Sequence, residues 1–371
     1  MSREYVLKAD TILFQYWKDK TRTMQFNTNI QIGPVSISPA SRTFIIAEAG
    51  VNHNGNMDLA RQMIDVASQA GVDAVKFQTF KTDELILKDI SKAPYQKVTT
   101  DKAESQYDML RRLEITRQQT AELMHYCEEK HILFLSTPFE KHSLDELDDL
   151  GVYAFKVAAT DLTNIQFLRQ VAEKGKPIIL SAGMCYLEEV RKALAAVYPL
   201  NKDVILLQCT ANYPIQDTEA NINVIRTFKE TFNVNVGYSD HSQGVGASPY
   251  AVAVGAKVIE KHFTLDKNME GPDHKASVTP DELKQLVEDI RRVEKYLGDG
   301  IKIPTCSEQM TRKSLQKSLV TQKRIKTGEK FDAGNIVAKR TNGVGISALY
   351  YDDIIGKTAN QDYEIDEIIH L

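Results

Sequence analysis

Two histidines close two β-branched runs late in the chain, His241 in Gly237-Tyr-Ser-Asp-His241 and His262 in Val258-Ile-Glu-Lys-His262. Imidazole is a favoured ligand for divalent transition metals, so two converging histidines could hold one. Other apolar runs also end in polar residues: Glu48, Lys76, Gln78, Thr137, Lys156, Ser181, Thr210, Ser239 and Glu260. Buried strand positions rarely hold lysine or glutamate without a partner or a task. Two lysines with hydroxyls beside them suit a phosphorylated anion, the lysines as point charges and the hydroxyls as donors. Two histidines leave coordination positions open for water and substrate, as in catalytic rather than structural metal sites. A Lewis acid beside a cradled phosphorylated acid suits carbon–carbon bond formation between an enol phosphate and a carbonyl. The plain alternatives are a snorkelling surface lysine and two unrelated loop histidines. Both lose ground because the residues fall at one end of several strands.

The elements that must position these residues follow from periodicity. Short β-type runs occur at 43–49, 73–78, 131–136, 153–158, 177–182, 204–209, 234–239 and 257–262. Helical spacing fills 57–70, 118–130, 165–174, 187–197, 222–232 and 280–297, the last with Pro280 in its first turn and Gly298 at its stop. Eight alternating β and α units predict a closed parallel (β/α)8 TIM barrel, whose chemistry lies at the C-terminal ends of its strands. A doubly wound open sheet is the alternative, but no Gly-x-Gly-x-x-Gly follows the first strand.

At 371 residues the chain exceeds the roughly 250 of a minimal barrel. Residues 1–40 are expected to be an N-terminal extension, 41–298 the barrel, 299–312 a linker and 313–371 a small, mostly β domain. The apolar run 11–17 is too short for a signal or membrane helix. The long connection over about 80–117 is expected to cover the site with some helix of its own. The formal charge is −4, from 46 basic and 50 acidic residues, and no basic run is clustered. Nucleic acid and anionic membranes are therefore not expected as partners. Four cysteines without paired spacing (Cys127, Cys185, Cys209, Cys306) read as reduced thiols of a cytoplasmic protein.

Several motifs together resemble the sialic acid synthases. They are Ile46-Ala-Glu-Ala-Gly-Val-Asn-His-Asn-Gly55, Val75-Lys-Phe-Gln-Thr79, Ser136-Thr-Pro-Phe139, Ser181-Ala-Gly-Met184, Tyr238-Ser-Asp-His241, Glu260-Lys-His-Phe-Thr-Leu-Asp266 and Gly271-Pro-Asp-His-Lys-Ala-Ser277. The resemblance spans about residues 43–371, and the late block is similar to that family's antifreeze-like (SAF) domain. It implies condensation of phosphoenolpyruvate with a 2-acetamido sugar in a homodimer that exchanges SAF domains. His241 and His262 would hold a divalent metal, manganese first, with magnesium or cobalt as substitutes. Lys76, Thr137, Lys156, Ser181, Tyr213 and Ser239 match phosphoenolpyruvate-binding positions. Glu48, Gln78, Asp273 and Arg340 match acceptor-sugar positions, Arg340 being supplied across the dimer. Glu48, Lys76, Lys156 and Asp161 are the implied catalytic residues. The implied reaction joins C3 of the enol phosphate to an open-chain aldehyde, adds water at C2 and releases phosphate by C–O cleavage.

The chain departs from the pattern after Lys156, where Val-Ala-Ala-Thr-Asp161 replaces x-x-Ser-Gly-Glu, and Ala182 and Ala211 stand where other members carry polar residues. These changes spare the lysines and histidines and bear on the acceptor. N-acetylmannosamine, giving N-acetylneuraminate, is the first expectation. 2,4-Diacetamido-2,4,6-trideoxymannose, giving diacetyllegionaminate, is the second, and a pseudaminate synthase fits Gly271-Pro-Asp273 less well. A non-catalytic, ice-interacting protein would have no use for lysines and histidines at strand ends.

Overall fold

The computed structural model describes residues 24–93, 96–100 and 104–370. The run 11–17 lies outside the described residues. The chain divides into two compact units, 1–297 and 298–371.

In the first unit, β1 (Ile30–Ile32) and β2 (Val35–Ile37) form an antiparallel hairpin. Eight parallel strands follow: β3 (Phe44–Gly50), β4 (Ala74–Thr79), β5 (Leu133–Pro138), β6 (Phe155–Val157), β7 (Ile178–Ser181), β8 (Val204–Cys209), β9 (Asn235–Asp240) and β10 (Val258–His262). Their lateral order is β5-β4-β3-β10-β9-β8-β7-β6, and the end strands β5 and β6 run side by side, so the sheet curls into a nearly closed barrel. The expected (β/α)8 barrel is the fold.

Local sequence explains the helices between strands. Asn56 caps Met57–Ala70 by accepting from the Asp58 and Leu59 amides, and Gly71 ends it at φ +79°, a conformation other residues resist. Gly151 ends Lys141–Leu150 in the same way. Thr116 and Gln119 form a reciprocal capping box for Arg117–Glu129. A short helix, Ser248–Ala253, separates β9 from β10. It is too brief for periodicity to reveal.

Strand alternation sorts the core into two layers. Ile45 and Ala47 of β3, Val75 and Phe77 of β4, and Val236 and Tyr238 of β9 pack outward with the helices. Phe44, Ile46, Ala74, Leu135, Ala154, Ile179, Ile205, Leu207 and Val258 pack inward, together with Ile30, Ile32 and Ile37 of the hairpin. The hairpin thus plugs the lower end of the barrel. Ile30, Ile32 and Ile37, within the expected N-terminal extension, are fully buried. Gly237 allows tight inner packing, since a Cβ there would lie 2.4 Å from the Val258 carbonyl oxygen and 2.5 Å from Leu207.

In the second unit, helix Cys306–Leu315 precedes an antiparallel pair, β11 (Lys317–Thr321) and β12 (Ile336–Arg340). Its own core is built on Leu319, Ile325, Phe331, Ile336, Ile354, Tyr363 and Ile369.

Candidate active site

Every inward series continues upward into polar residues. Phe44 and Ile46 lead to Glu48, Ala74 to Lys76 and Gln78, Leu135 to Thr137, Ala154 to Lys156, and Ile179 to Ser181. Ile205 and Leu207 lead to Cys209, Gly237 to Ser239 and His241, and Val258 to Glu260 and His262. Parallel strands point all these ends the same way, so the side chains converge at the C-terminal mouth. A cavity of about 440 Å³ opens there, lined by all of these residues together with Tyr213 and Asp273.

The charges form one network. Lys76 Nζ lies 2.8 Å from Glu48 and 3.6 Å from Glu260, and donates to Thr137 Oγ1 at 2.9 Å. Lys156 Nζ lies 3.6 Å from the other oxygen of Glu260 and donates to Ser181 Oγ at 2.8 Å. Ser239 Oγ donates to Glu260 at 2.9 Å, and Gln78 donates to Glu48 at 3.1 Å. Glu260 is buried, which alone would raise its pKa, but Lys156 and Lys76 hold it at about 2. Glu48 goes the other way: burial raises it against the single neighbouring charge of Lys76, and Glu260 adds repulsion. Burial pulls Lys76 down, yet its two carboxylates leave it above the ordinary lysine value. Lys156 falls below that value because burial outweighs Glu260. Asp273 is pushed up to about 7 by burial and then by Glu48. Carboxyl groups whose affinities for protons are driven apart like this are suited to different roles in acid–base chemistry.

The histidines lie with ring centroids 5.5 Å apart, and Tyr213 packs tilted against His241 at 4.1 Å and edge-on to His262 at 5.4 Å. His241 Nδ1 donates to the Thr210 carbonyl at 2.7 Å, which leaves Nε2 with its lone pair. Burial holds His241 at about 4 and His262 well below its usual value, so both rings are neutral at pH 7. His262 Nδ1 is buried without a hydrogen-bond partner. Two neutral imidazoles, one oriented by a backbone carbonyl, fit a divalent ion. Among the described residues no group of three or more histidine, cysteine, aspartate or glutamate side chains could hold a metal. His241 and His262 are thus the donors such an ion would find here.

One expected residue lies elsewhere. Asp161 does not line the cavity, because the 3-10 turn Ala159–Asp161 leaves its carboxylate accepting from Thr160 at 3.2 Å and Asn164 at 3.4 Å. Ala159 and Thr160 line the wall instead. Arg340 is the exposed last residue of β12, in the second unit. The Thr210 hydroxyl is taken up by the Glu219 carbonyl at 2.7 Å. Glu260 stood among the strand-end residues with no role assigned, and only tertiary contacts show it bridging both lysines.

The connection between β4 and β5 supplies the outer wall with helices Thr82–Leu85, Gln96–Thr99 and Gln106–Leu113. Val51, Phe80, Met109 and Leu113 form an apolar cluster there, with Leu85, Leu110 and Phe139 packed on it. All seven line the cavity.

The chain matches the NeuB family over residues 63–302 and the SAF domain over residues 316–371. It is 46% identical over 331 residues to the N,N'-diacetyllegionaminic acid synthase of Campylobacter jejuni, covering 88% of this chain and 99% of that protein. It is 35% identical to human N-acetylneuraminate-9-phosphate synthase over 328 residues, covering 88% and 91% of the two chains. The crystal structure of an N-acetylneuraminic acid synthetase from Leptospira borgpetersenii in complex with citrate superposes with a TM-score of 0.69 at 34% identity, covering 78% of this chain and 98% of that one. With the barrel, the converging strand ends and the C-terminal SAF domain, these likenesses show that the chain is an enzyme of the NeuB family, the sialic acid synthases.

Proposed function

We propose that this enzyme condenses phosphoenolpyruvate with the open-chain form of a 2-acetamido sugar to give a nine-carbon 2-keto acid and phosphate. The observation that carries the reading is the convergence of Lys76, Lys156, Thr137, Ser181 and Ser239 with two neutral histidines in one buried cavity. Lys76 and Lys156, with the three hydroxyls, bind the phosphate and carboxylate of the enol phosphate. Tyr213, against both imidazoles, closes that side of the pocket. His241 and His262 would hold a divalent metal, manganese first, which would supply Lewis-acid polarisation of the acceptor carbonyl.

C3 of the enol phosphate bonds to the aldehyde carbon, whose oxygen takes a proton. Water adds at C2 and gives up one proton, and the new C2 hydroxyl becomes the ketone as the bond from C2 to the phosphate oxygen breaks and the departing phosphate takes the second proton. Glu48 and Asp273, both raised, are the groups suited to exchange those protons, while Glu260 stays ionised between the lysines. Phosphoenolpyruvate labelled with 18O in its bridging position tests this directly. The label should leave in the phosphate, and its retention in the keto acid would refute C–O cleavage.

The apolar wall of Phe80, Met109, Leu113 and Phe139 favours 2,4-diacetamido-2,4,6-trideoxymannose over N-acetylmannosamine, the acceptor expected first from sequence. A C6 methyl and a second acetyl group suit that surface better than hydroxyls do. The name of the Campylobacter jejuni relative supports the same order. Phosphate release measured with each sugar should give the higher kcat/KM for the diacetamido sugar. A cytoplasmic homodimer completes the reading, supported by four free thiols and by the family resemblance. Among the described residues no helix is long and apolar enough to cross a membrane.

A further inference from the structure

The residues before the two histidines, Asp240 and Lys261, form an ion pair of 3.3 Å with both side chains fully buried. Nothing in the reaction uses it. By alternation these side chains point outward, toward the helix layer, while His241 and His262 face the cavity. The pair occupies a particular place in the sheet. Lys261 and Asp240 are the last rung of the ladder between β10 and β9, beyond which no backbone pairing ties these two strands. The histidines therefore emerge where the ladder has stopped.

The same pair clamps the backbone after His241. Asp240 Oδ1 accepts from the Ser242 amide at 2.8 Å and from its hydroxyl at 2.6 Å. Lys261 Nζ donates to the Ser242 carbonyl at 2.5 Å. Asp240 Oδ2 accepts from Ser248 Oγ at 2.7 Å, tying the clamp to the start of helix Ser248–Ala253. The turn closes tightly on it: Gly246 sits at φ +59°, and a Cβ there would fall 1.9 Å from Ser242 Oγ. Both peptide groups of Ser242 are thus held by the pair, and His241 is fixed on either side.

A buried ion pair is weak evidence for stability, because desolvation offsets most of the attraction, and specificity is its better-attested use. We infer that the Asp240–Lys261 pair is a positioning device that holds the ends of β9 and β10 at the separation at which His241 and His262 can share one metal ion. The inference rests on the reading of those histidines as metal ligands.

The test separates positioning from folding. Asp240→Asn and Lys261→Met each strand one buried charge and should lower Tm. The double variant strands neither, so its Tm should rise above that of either single variant. Its Mn2+ Kd, measured by calorimetric titration of the metal-free protein, should nevertheless be weaker than wild type by about tenfold or more, the range for lost outer-shell support. A double variant that binds Mn2+ as tightly as wild type overturns the inference. Should it not fold, Ser248→Ala is the milder probe, removing one hydrogen bond from Asp240 without unpairing Lys261. Its Kd should rise about threefold, with a Tm loss no larger than one hydrogen bond accounts for, and an unchanged Kd counts against the pair. His241→Ala is titrated alongside. If it binds Mn2+ like wild type, the metal reading itself has failed and this inference falls with it.

Discussion

Lys76 and Glu48 are joined at 2.8 Å with side-chain exposures of 3% and 1%, so the lysine that an anionic substrate would use is already engaged by a carboxylate. Binding must therefore share this lysine rather than find it bare, and Glu48 becomes easier to protonate as its partner turns to the anion. Substrate binding and proton affinity are coupled through this contact.

Replacing Lys76 by alanine should act twice. Losing a charge-assisted contact of about 1.5–3 kcal/mol should raise the KM for phosphoenolpyruvate roughly ten- to a hundredfold. Leaving Glu48 and Glu260 together without that lysine should also destabilise the fold. Lys156→Ala should show the KM effect with a smaller loss of Tm, because Lys76 still serves both glutamates. Steady-state kinetics and thermal melts check both, and an unchanged KM in both variants would remove the lysines from the site.

Metal dependence follows from the two open imidazoles. EDTA should abolish turnover and Mn2+ restore it, since two protein ligands hold an ion only modestly. His241→Ala and His262→Ala should be inactive with native circular dichroism. Full activity after exhaustive chelation would contradict the assignment.

His53 gives a pH prediction outside the chemistry. Its ring is buried, Nδ1 accepts from the Gly55 amide at 3.0 Å, and Nε2 has no hydrogen-bond partner. Burial holds it at about 4, against an ordinary value of 6.5. The unfolded chain therefore takes up the proton first as pH falls. The contribution to stability is complete above pH 6.5, is lost as pH drops toward 4, and does not fall further below that. Between pH 7 and pH 5 wild type should lose about 2 kcal/mol more than His53→Asn. Denaturant titrations at the two pH values measure the difference, and parallel losses would disprove it.

Arg340, exposed at the end of β12, is expected from the resemblance to serve the partner's active site. Arg340→Ala and His241→Ala should each be inactive. Mixed with free subunit exchange, they should recover about a quarter of wild-type activity per subunit, since half of random dimers are mixed and each owns one intact site of two. No recovery despite proven exchange would place the arginine in its own chain's site or in none.

Glu48, Lys76, Lys156, Ser181, Ser239 and His262 were legible as a constellation because strand alternation and the shared direction of parallel strands are sequence properties. An inward residue two places beyond an apolar one must stand above it at the barrel mouth. Asp161 was matched by motif alone: it stands an odd five residues beyond the inward Lys156, in a 3-10 turn past the end of β6, so alternation gave no warrant for it. The hairpin of Ile30, Ile32 and Ile37 reads as a short polar leader until it meets the barrel's lower end. Glu260 between two lysines, and Asp240 opposite Lys261 on the last rung, depend on the stagger between strands. Periodicity settles which face of a strand a residue occupies. Only hydrogen-bond register, set by the packing of all eight strands together, decides which residue it meets there.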